Sequence, residues 1–488
     1  MNENKSLNLT QHPPVIDWGK SIQDITTTPT FQVVVNPLLR RDSPIHDRVF
    51  TELHDLRADY VRFVPWFPYP HYSIPELYPP TDVKTSWDFS RIDPFTLDFL
   101  DATLGHPIML NFSTIPPWMF KADHTVPYPQ NPDQPIWDYQ VGSELRDPSL
   151  KELSEYFARI VSWYTRGGFT DEVGVWHESG HHYKIDYWEV LNEPDFEHDT
   201  TPKQYTDRYD AIVSAIRSVN PDIKFVGLSL ALPGLNPEFF EYFLNPDNHQ
   251  PDIPLDMISY HFYASPPLDE LFDVEHHTYF TQADGFITMV RYVESIRKRL
   301  SPATQTTINE IGVIRADDGL QSQPGHVAKS IEDIYWNAAG AVYAYVFARL
   351  AQLGIDIAGE SQLVGYPSQF PSVSMVDWNT GAPNARLRVL EMLKNYLSPQ
   401  DQVVSTDVGG HDGNPYYHAQ AFLGADGTRK LLLISKRDYP IDLDLSEFVG
   451  AKVAIVDQIT AGGSVGFDTI TNGTFQLTGF AVVVLSLK

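Results

Sequence analysis

Two glutamates stand at the ends of short β-rich stretches, and as a pair they could do chemistry. Glu193 lies in Asp186-Tyr-Trp-Glu-Val-Leu-Asn-Glu-Pro194, and Glu310 lies in Thr306-Thr-Ile-Asn-Glu-Ile-Gly312. An acetal is cleaved when one carboxylic acid protonates the leaving oxygen and a second carboxylate attacks the anomeric carbon from the opposite face. The charge of that carboxylate raises the pKa of its partner and keeps the acid protonated. Either glutamate alone is more often a loop ion pair, so the interpretation depends on the fold that positions both.

That fold is predicted from β-rich runs that alternate with helical patterns over most of the chain. The runs are apolar on both sides, as expected of parallel strands that are covered on each face. They are Phe31–Val35, Tyr60–Val64, Ile108–Phe112, Ile185–Val190, Ile223–Leu228, Met257–Phe262 and Thr306–Ile311, with an eighth within Ile355–Val364. The two glutamates then end the fourth and seventh strands, which face each other across the mouth of a closed barrel.

Helix starts are marked by a capping residue followed by proline. The side-chain oxygen of the first residue accepts from free amides, and proline occupies a position where no amide bond is needed. The pairs are Ser43-Pro44, Asp93-Pro94, Asp147-Pro148, Thr201-Pro202 and Asn236-Pro237. Eight strands that alternate with helices predict an α/β fold, the (β/α)8 TIM barrel. A doubly wound sheet is the alternative, but no G-x-G-x-x-G motif follows the first strand.

The pattern changes after the barrel. Short strands separated by turn dipeptides such as Asp426-Gly427 and Asn472-Gly473 predict a C-terminal antiparallel β-sandwich over residues 399–488. The catalytic barrel is assigned to residues 30–398. We expect the N-terminal segment, residues 1–29, to pack on the sandwich.

The composition of the chain excludes several classes of binding partner and of functional site. The chain has 35 Lys and Arg against 63 Asp and Glu, a net charge of −28, which repels nucleic acid and anionic lipid. It has no cysteine, so disulfides, thiolate metal sites and a cysteine nucleophile are excluded. No apolar stretch is long enough to span a membrane, and no signal peptide is visible. We therefore expect either a cytoplasmic protein or a secreted one whose signal has been removed, while the oligomeric state stays open.

The two glutamate segments resemble those of clan A glycoside hydrolases, which are retaining enzymes on (β/α)8 barrels, and most of all family 39, the β-xylosidase and α-L-iduronidase family. The resemblance is carried by Trp188-Glu-Val-Leu-Asn-Glu-Pro-Asp195, Tyr205-Thr-Asp-Arg-Tyr209, Asn220-Pro-Asp-Ile-Lys-Phe-Val-Gly227 and Asp256-Met-Ile-Ser-Tyr-His-Phe-Tyr263. Family members commonly have Trp at the position of Leu191, and their nucleophile often lies between Thr and Trp. Families 5, 30, 51 and 79 of the clan therefore stay open.

The resemblance implies a retaining glycosidase that uses Glu193 as acid/base and Glu310 as nucleophile, with a covalent glycosyl-enzyme intermediate and no metal or cofactor. Its expected partner is an oligosaccharide or a glycoside. We expect exo action on a short substrate, with long loops after the second and third strands closing the cleft and a β-xyloside as the family default. The alternatives are a non-hydrolytic carbohydrate-binding barrel and a transglycosidase.

Four polar residues receive supporting roles from the same resemblance. Asn192 would bond the sugar 2-hydroxyl, and Arg62 would hold the nucleophile ionised. Tyr263 would donate to the nucleophile, while His261 would contact sugar or orient the glutamates. Each has an ordinary structural alternative, namely a turn residue, an ion pair or a satisfied core group.

Three tryptophans are candidates for stacking on sugar rings. Trp378, beyond the eighth strand, is predicted to be the sugar platform. Trp66 and Trp118, after the second and third strands, are predicted to line outer subsites. Each is as readily explained by packing.

The segment His177-Glu-Ser-Gly-His181 matches the H-E-x-x-H spacing of zinc proteases. That motif works only on a helix, which brings both imidazoles to one face. Gly180 within the motif and the strand that follows closely favour a polar loop instead.

Overall fold

Eight parallel strands close into a barrel in the computed structural model of the protein, in the order in which they occur along the chain. The structure describes residues 10–121, 127–137, 142–267, 272–320, 331–366, 370–410, 413–460 and 462–488. The barrel strands, first to eighth, are Thr28–Val34, Val61–Val64, Ile108–Leu110, Tyr187–Glu189, Lys224–Leu230, Met257–Ala264, Gln305–Val313 and Ile357–Glu360. The predicted (β/α)8 fold is confirmed, and each predicted run overlaps one strand.

Helices cover the outside of the barrel. They are His46–Leu56, Pro70–Ser73, Asp93–Ala102, Lys151–Thr165, Pro202–Val219, Glu238–Phe243, Phe272–Leu300, Asp333–Leu353 and Ala385–Tyr396. Thr201 caps its helix as predicted, in a capping box with Gln204. At the other four predicted pairs a different residue is the N-cap, because the chain enters the helix elsewhere, although Asp147 Oδ2 still accepts from the first-turn amide of Glu152 at 2.9 Å. The caps there are Ile45, Ile92, Leu150 and Pro237.

The barrel interior is a packed core. Its lower end is closed by a small apolar cluster that includes Met109, Tyr187 and Val226. Between the strands and helices lies a large continuous core, to which the helix Asp333–Leu353 contributes a nearly continuous run of buried residues. This packing leaves the C-terminal ends of the strands, at the other end of the barrel, to carry polar side chains.

A β-sandwich follows the barrel. Its larger sheet has seven antiparallel strands: Gly466–Thr469, Lys452–Val456, Val482–Leu487, Arg429–Ser435, Tyr417–Leu423, Gln402–Asp407 and Val15–Asp24, in spatial order. The smaller sheet contains Thr10–Gln11, Ile441–Asp444 and Thr474–Leu477. The segment Val15–Asp24 pairs with Gln402–Asp407, so the N-terminal part of the chain adds a strand to the sandwich.

The sandwich is attached to the barrel by an apolar interface. Phe422, Leu432 and Val484 on the larger sheet belong to the same core as the barrel helices. Residues between the two sheets form a core of their own. Within the described residues, no helix is long and apolar enough to cross a membrane.

Candidate active site

The C-terminal ends of the fourth and seventh strands bring Glu193 and Glu310 together. Glu310 lies within the seventh strand, opposite His261 on the sixth, at a point where the register of the two strands shifts. Glu193 lies in the loop after the fourth strand, with its backbone in the left-handed region at φ 41°. This conformation is unfavourable for a residue with a Cβ. The amide of Glu193 donates to the carbonyl of Ser229 at 2.9 Å, and this bond holds the turn that directs the side chain into the barrel mouth.

Glu310 is held as a carboxylate by two donors. Arg62 Nη1 donates to Oε1 at 2.5 Å, and the Tyr263 hydroxyl donates to Oε2 at 2.5 Å. Burial raises the pKa of Glu310, but the positive charges of His261 and Arg62 and the two hydrogen bonds outweigh it, so the pKa lies below its usual value. An ionised carboxylate is the form that can attack a carbon atom.

Arg62 is the buried centre of this network. The side chain is 1% exposed. It also donates through Nε to Glu189 at 2.5 Å and through Nη1 to Gln32 at 2.6 Å. Glu189 is fully buried as well, so the Arg62 guanidinium pairs with two glutamates beneath the cavity floor. Asn111, Asn309 and Ser259 donate to the remaining lone pairs of Glu189.

His261 lies between the two glutamates. Its Nδ1 is 2.8 Å from Glu193 Oε1, and its Nε2 is 3.0 Å from Ser229 Oγ and 3.6 Å from Glu310 Oε1. Burial lowers the pKa of His261, but the negative charge of Glu310 and the hydrogen bond to Glu193 outweigh burial and raise it. The imidazole therefore couples the protonation of both carboxyl groups.

The pKa of Glu193 is shifted in the opposite direction from that of Glu310. Burial is the largest effect and raises its pKa, and the negative charge of Glu310 raises it further, against a lowering by His261. A carboxyl group with a raised pKa is suited to donate a proton. The surroundings therefore raise the pKa of one carboxyl group in the site and lower the pKa of the other.

Hydrogen bonds to both the oxygen and the nitrogen of its side-chain amide orient Asn192. Its Oδ1 accepts from Arg62 Nη2 at 2.7 Å and from Ser229 Oγ at 3.1 Å. Its Nδ2 donates to Glu197 Oε1 at 2.8 Å. These three bonds fix which end of the amide is the donor and leave the second N–H of Nδ2 available to a ligand.

Glu197 is a third carboxyl group in the site, and sequence reasoning missed it. Trp66 Nε1 donates to its Oε1 at 2.7 Å, alongside Asn192. Burial, reinforced by the charge of Glu193, raises the pKa of Glu197 well above its usual value. The one sequence signal was its position four residues after Glu193, which indicates proximity only when the intervening loop turns.

These groups line a cavity of about 490 Å³ at the barrel mouth. Glu193, Glu310, Asn192, Tyr263 and Trp66 all face it, and Arg62 and His261 lie directly behind them. Its upper walls carry aromatic side chains that the sequence did not single out, namely Phe67, Trp137, Phe196 and Phe370. Trp66 packs against Phe370 and Trp137, with ring centroids 6.4 and 5.6 Å apart.

The structure does not bring the other two predicted tryptophans to this cavity. Trp378 lies in the turn of a short hairpin whose ends are bridged between Val376 and Pro383, and this turn carries its ring to a separate pocket beside Trp336. Trp118 is half-buried, donates to the carbonyl of Glu76 at 2.9 Å and lies under the guanidinium of Arg146. Both rings are therefore packing groups outside the carboxylate site.

Among the described residues, one group of side chains has donor atoms close enough together to hold a metal ion. One ligand atom each from Glu193, His261 and Glu310 lie within 4.8 Å of one another. The guanidinium of Arg62 already contacts Glu310 and would repel a cation there. The H-E-x-x-H segment is not helical: Trp176–Glu178 is a strand, and His177 pairs with Asp171 at 2.9 Å.

Part of the chain matches a known protein family. Residues 150–311, about a third of the chain, match the family model described as glycosyl hydrolases family 39. Comparison with curated proteins gives no match.

Three solved structures illustrate the likeness of fold. A glucosidase from Croceicoccus marinus is 17% identical with a TM-score of 0.60, covering 98% of this chain and 99% of its own. A family 51 α-L-arabinofuranosidase from Bifidobacterium longum is 13% identical with a TM-score of 0.65, covering 98% and 99%. A family 30 endoxylanase from Clostridium papyrosolvens is 13% identical with a TM-score of 0.57, covering 95% and 97%.

The barrel and the sandwich are the fold of these solved structures, and the matched segment supports a glycosidase. The chain resembles family 39 through residues 150–311, which include Glu193 and Glu310. The predicted resemblance is confirmed, and the family match supports a carbohydrate substrate.

Proposed function

We propose that the protein is a retaining, exo-acting glycosidase in which Glu193 is the acid/base and Glu310 the nucleophile. The observation that carries the proposal is the spacing of the pair, because an oxygen of each carboxyl group lies within 4.8 Å of one on the other. Retaining enzymes separate their carboxyl groups by about 5–5.5 Å, whereas inverting enzymes need about 6.5–9.5 Å to admit a water molecule.

The reaction has two steps. In the first, Glu193 gives its proton to the glycosidic oxygen while a Glu310 oxygen forms a bond to the anomeric carbon, and the alcohol leaves. In the second, the Glu193 carboxylate takes a proton from water, whose oxygen displaces Glu310 from the same carbon. The sugar is released with its original anomeric configuration, and both carboxyl groups return to their starting protonation.

The supporting residues stabilise the charges that this reaction moves. Tyr263 and Arg62 keep the Glu310 carboxylate ionised and oriented before attack. The remaining N–H of Asn192 would donate to the sugar 2-hydroxyl, a contact that strengthens in the transition state. His261 holds Glu193 through Nδ1.

Exo action on a short glycoside is supported by the walls of the cavity. Trp66 and Phe67 after the second strand, and Trp137 after the third, stand over the floor. These loops are the ones expected to close the cleft. A cavity of about 490 Å³ falls within the range of about 300–1,000 Å³ typical of sites for small ligands. We propose a β-xyloside as the first substrate to test.

The test uses a panel of aryl glycosides with wild type, Glu193→Ala and Glu310→Ala, and azide as the rescue nucleophile. The matched control is Glu178→Ala, because Glu178 is exposed and does not line the cavity. For a β-linked substrate, we expect azide to give the β-glycosyl azide with Glu193→Ala and the α-azide with Glu310→Ala. The control keeps wild-type activity.

The outcomes separate the alternatives. Full activity in both cavity variants would remove the two glutamates from the mechanism. Products longer than the substrate, formed in place of free sugar, would identify a transglycosidase. Sugar binding without cleavage of any glycoside would identify a carbohydrate-binding barrel, although the presence of both carboxyl groups favours catalysis.

A further inference from the structure

An apolar wall stands directly beside Glu193, and it is built from side chains that solvent reaches. Phe196 is 65% exposed and Leu232 is 40% exposed, and both line the cavity together with Ala231. Large apolar side chains at the rim of a functional cavity indicate an apolar ligand group more readily than a polar one. The geometry points to a hydrophobic aglycone, a ring-bearing apolar alcohol rather than a second sugar, as the leaving group. This inference rests on the proposed function.

The wall is held in place by Asp195. Its Oδ1 accepts from the amide of Ala231 at 3.0 Å, and its Oδ2 accepts from the amide of Leu232 and from Asn236 Nδ2, each at 3.0 Å. This carboxylate ties the loop after the fourth strand to the loop after the fifth. The amide of Phe196 in turn donates to the carbonyl of Glu193 at 2.9 Å. The exposed side chains are thus placed on a preorganised support beside the catalytic acid.

The position of the wall identifies which part of the substrate it meets. The acid protonates the oxygen of the leaving group, so the leaving group lies on the Glu193 side of the scissile bond. The nucleophile Glu310 approaches the opposite face of the sugar. Phe196, three residues after Glu193, therefore flanks the aglycone.

Besides the two glutamates, the amide, hydroxyl and carboxyl side chains among the described lining residues are Gln32, Asn192, Glu197, Tyr263, Ser361 and Gln362. None of them comes from the loop after the fifth strand. Beside Glu193, the described lining residues of the loop after the fifth strand are Ala231 and Leu232. A sugar hydroxyl buried there would give up water for carbon contacts, whereas an apolar ring would gain from leaving water.

The experiment compares methyl, benzyl and cyclohexylmethyl leaving groups, whose alcohols are of similar acidity, on each glycon, with a disaccharide beside them. Wild type is assayed with methyl, benzyl and cyclohexylmethyl β-D-xylosides and with xylobiose, and with the same aglycones on glucose, galactose and arabinofuranose. We expect kcat/KM for the benzyl and cyclohexylmethyl glycosides to exceed that for the methyl glycoside by about tenfold or more, and to exceed that for the disaccharide.

Variants test whether Phe196 and Leu232 cause the preference for an apolar leaving group. Phe196→Ser and Leu232→Ser should each reduce the benzyl-to-methyl ratio of kcat/KM by about three- to tenfold. Leu235→Ser is the matched control, because Leu235 is 75% exposed in the same loop but does not line the cavity. It should leave the ratio unchanged.

The failures are distinguishable. Cleavage with the disaccharide preferred, or with a benzyl-to-methyl ratio that the two wall variants do not alter, overturns the aglycone inference and leaves the proposed function intact. Absence of cleavage across all glycons and aglycones overturns the proposed function itself, and the aglycone inference with it.

Discussion

Asn192 and Glu197 are joined by a hydrogen bond of 2.8 Å from the amide nitrogen to a carboxyl oxygen. Because the Asn192 oxygen already accepts from Arg62 and Ser229, this bond completes the orientation of the amide. The amide hydrogen left over is the one that can reach a sugar hydroxyl. Glu197 is therefore a positioning residue for the proposed contact with the 2-hydroxyl, without any need to touch the reacting atoms.

Replacing Glu197 tests this role. Glu197→Leu should lower kcat/KM by about 10- to 100-fold on an aryl glycoside, the effect of losing roughly 1–3 kcal/mol of transition-state stabilisation. The loss should be much smaller on the matching 2-deoxy glycoside, which lacks the hydroxyl that Asn192 would bind. Glu197→Gln keeps an oxygen acceptor for Asn192 and Trp66 and should retain most of the activity. Equal losses on both substrates, or a Gln variant as impaired as Leu, would contradict the positioning role.

The pH dependence of kcat/KM should depend on His261. In the proposed mechanism Glu310 reacts ionised and Glu193 protonated, so Glu310 sets the acid limb and Glu193 the basic limb. The positive charge of His261 lowers the pKa of both glutamates. His261→Gln should therefore move both limbs to higher pH, as apparent values that belong to the coupled group.

A suitable control for that profile is His177→Gln. His177 pairs with Asp171 outside the cavity, so both limbs should stay in place. Limbs of His261→Gln that move in opposite directions, or that do not move, would show that the imidazole is not a shared cation for the two carboxyl groups.

The sequence was sufficient for the parts of the site that depend on strand order. Glu193 and Glu310 were located because the ends of parallel strands meet at one rim of a barrel, and that rim follows from counting the strands. Arg62, His261 and Tyr263 were assigned from the family resemblance, and the structure places each within hydrogen-bond reach of a glutamate.

The site residues that lie in loops could not be predicted from the sequence. Trp378 and Glu197 both lie in loops, and no periodicity indicates which way a loop side chain faces. Trp378 is carried away from the cavity by the hairpin between Val376 and Pro383. Glu197 is brought into it by a turn in which its amide donates to the carbonyl of Glu193 at 2.7 Å. Phe196 was missed for the same reason.

Arg62 should contribute to the free energy of unfolding as well as to the ionisation of Glu310. Arg62→Met removes the guanidinium that pairs with the buried Glu189 and Glu310, which should lower the free energy of unfolding by about 3–5 kcal/mol at neutral pH. The pKa of Glu310 is lowered in the folded protein, so its stabilising contribution is present above its unfolded value and disappears as pH falls through the folded one. The deficit of the variant should therefore shrink in acid.

Denaturant unfolding of wild type and Arg62→Met at several pH values measures this deficit. Arg41→Met is the control, because Arg41 pairs with Asp98 at the surface with 57% of its side chain exposed. Its cost should be about 0–1 kcal/mol. Equal stability of the two variants would mean that water or a rearranged donor replaces the Arg62 guanidinium.

Glu76 should make the protein less stable as the pH rises. The residue is fully buried, and burial, with the charge of Glu172 acting in the same direction, raises its pKa to about 8. In the unfolded chain the group ionises near its usual value of about 4.5, so folding above that pH requires a proton to be taken up. The resulting destabilisation grows between about pH 4.5 and 8 and is constant above it.

Glu76→Gln removes this penalty and should stabilise the protein by about 2–4 kcal/mol at pH 8, with a much smaller effect at pH 5. Thermal or denaturant unfolding at the two pH values gives the difference, and Glu144→Gln, at an exposed position, is the control. A Glu76→Gln variant that is less stable than wild type at pH 8 would show that the ionised carboxylate is compensated in the folded state. Arg159, whose charge lowers the pKa of Glu76, would then be the cation to remove next, because its loss should restore the penalty.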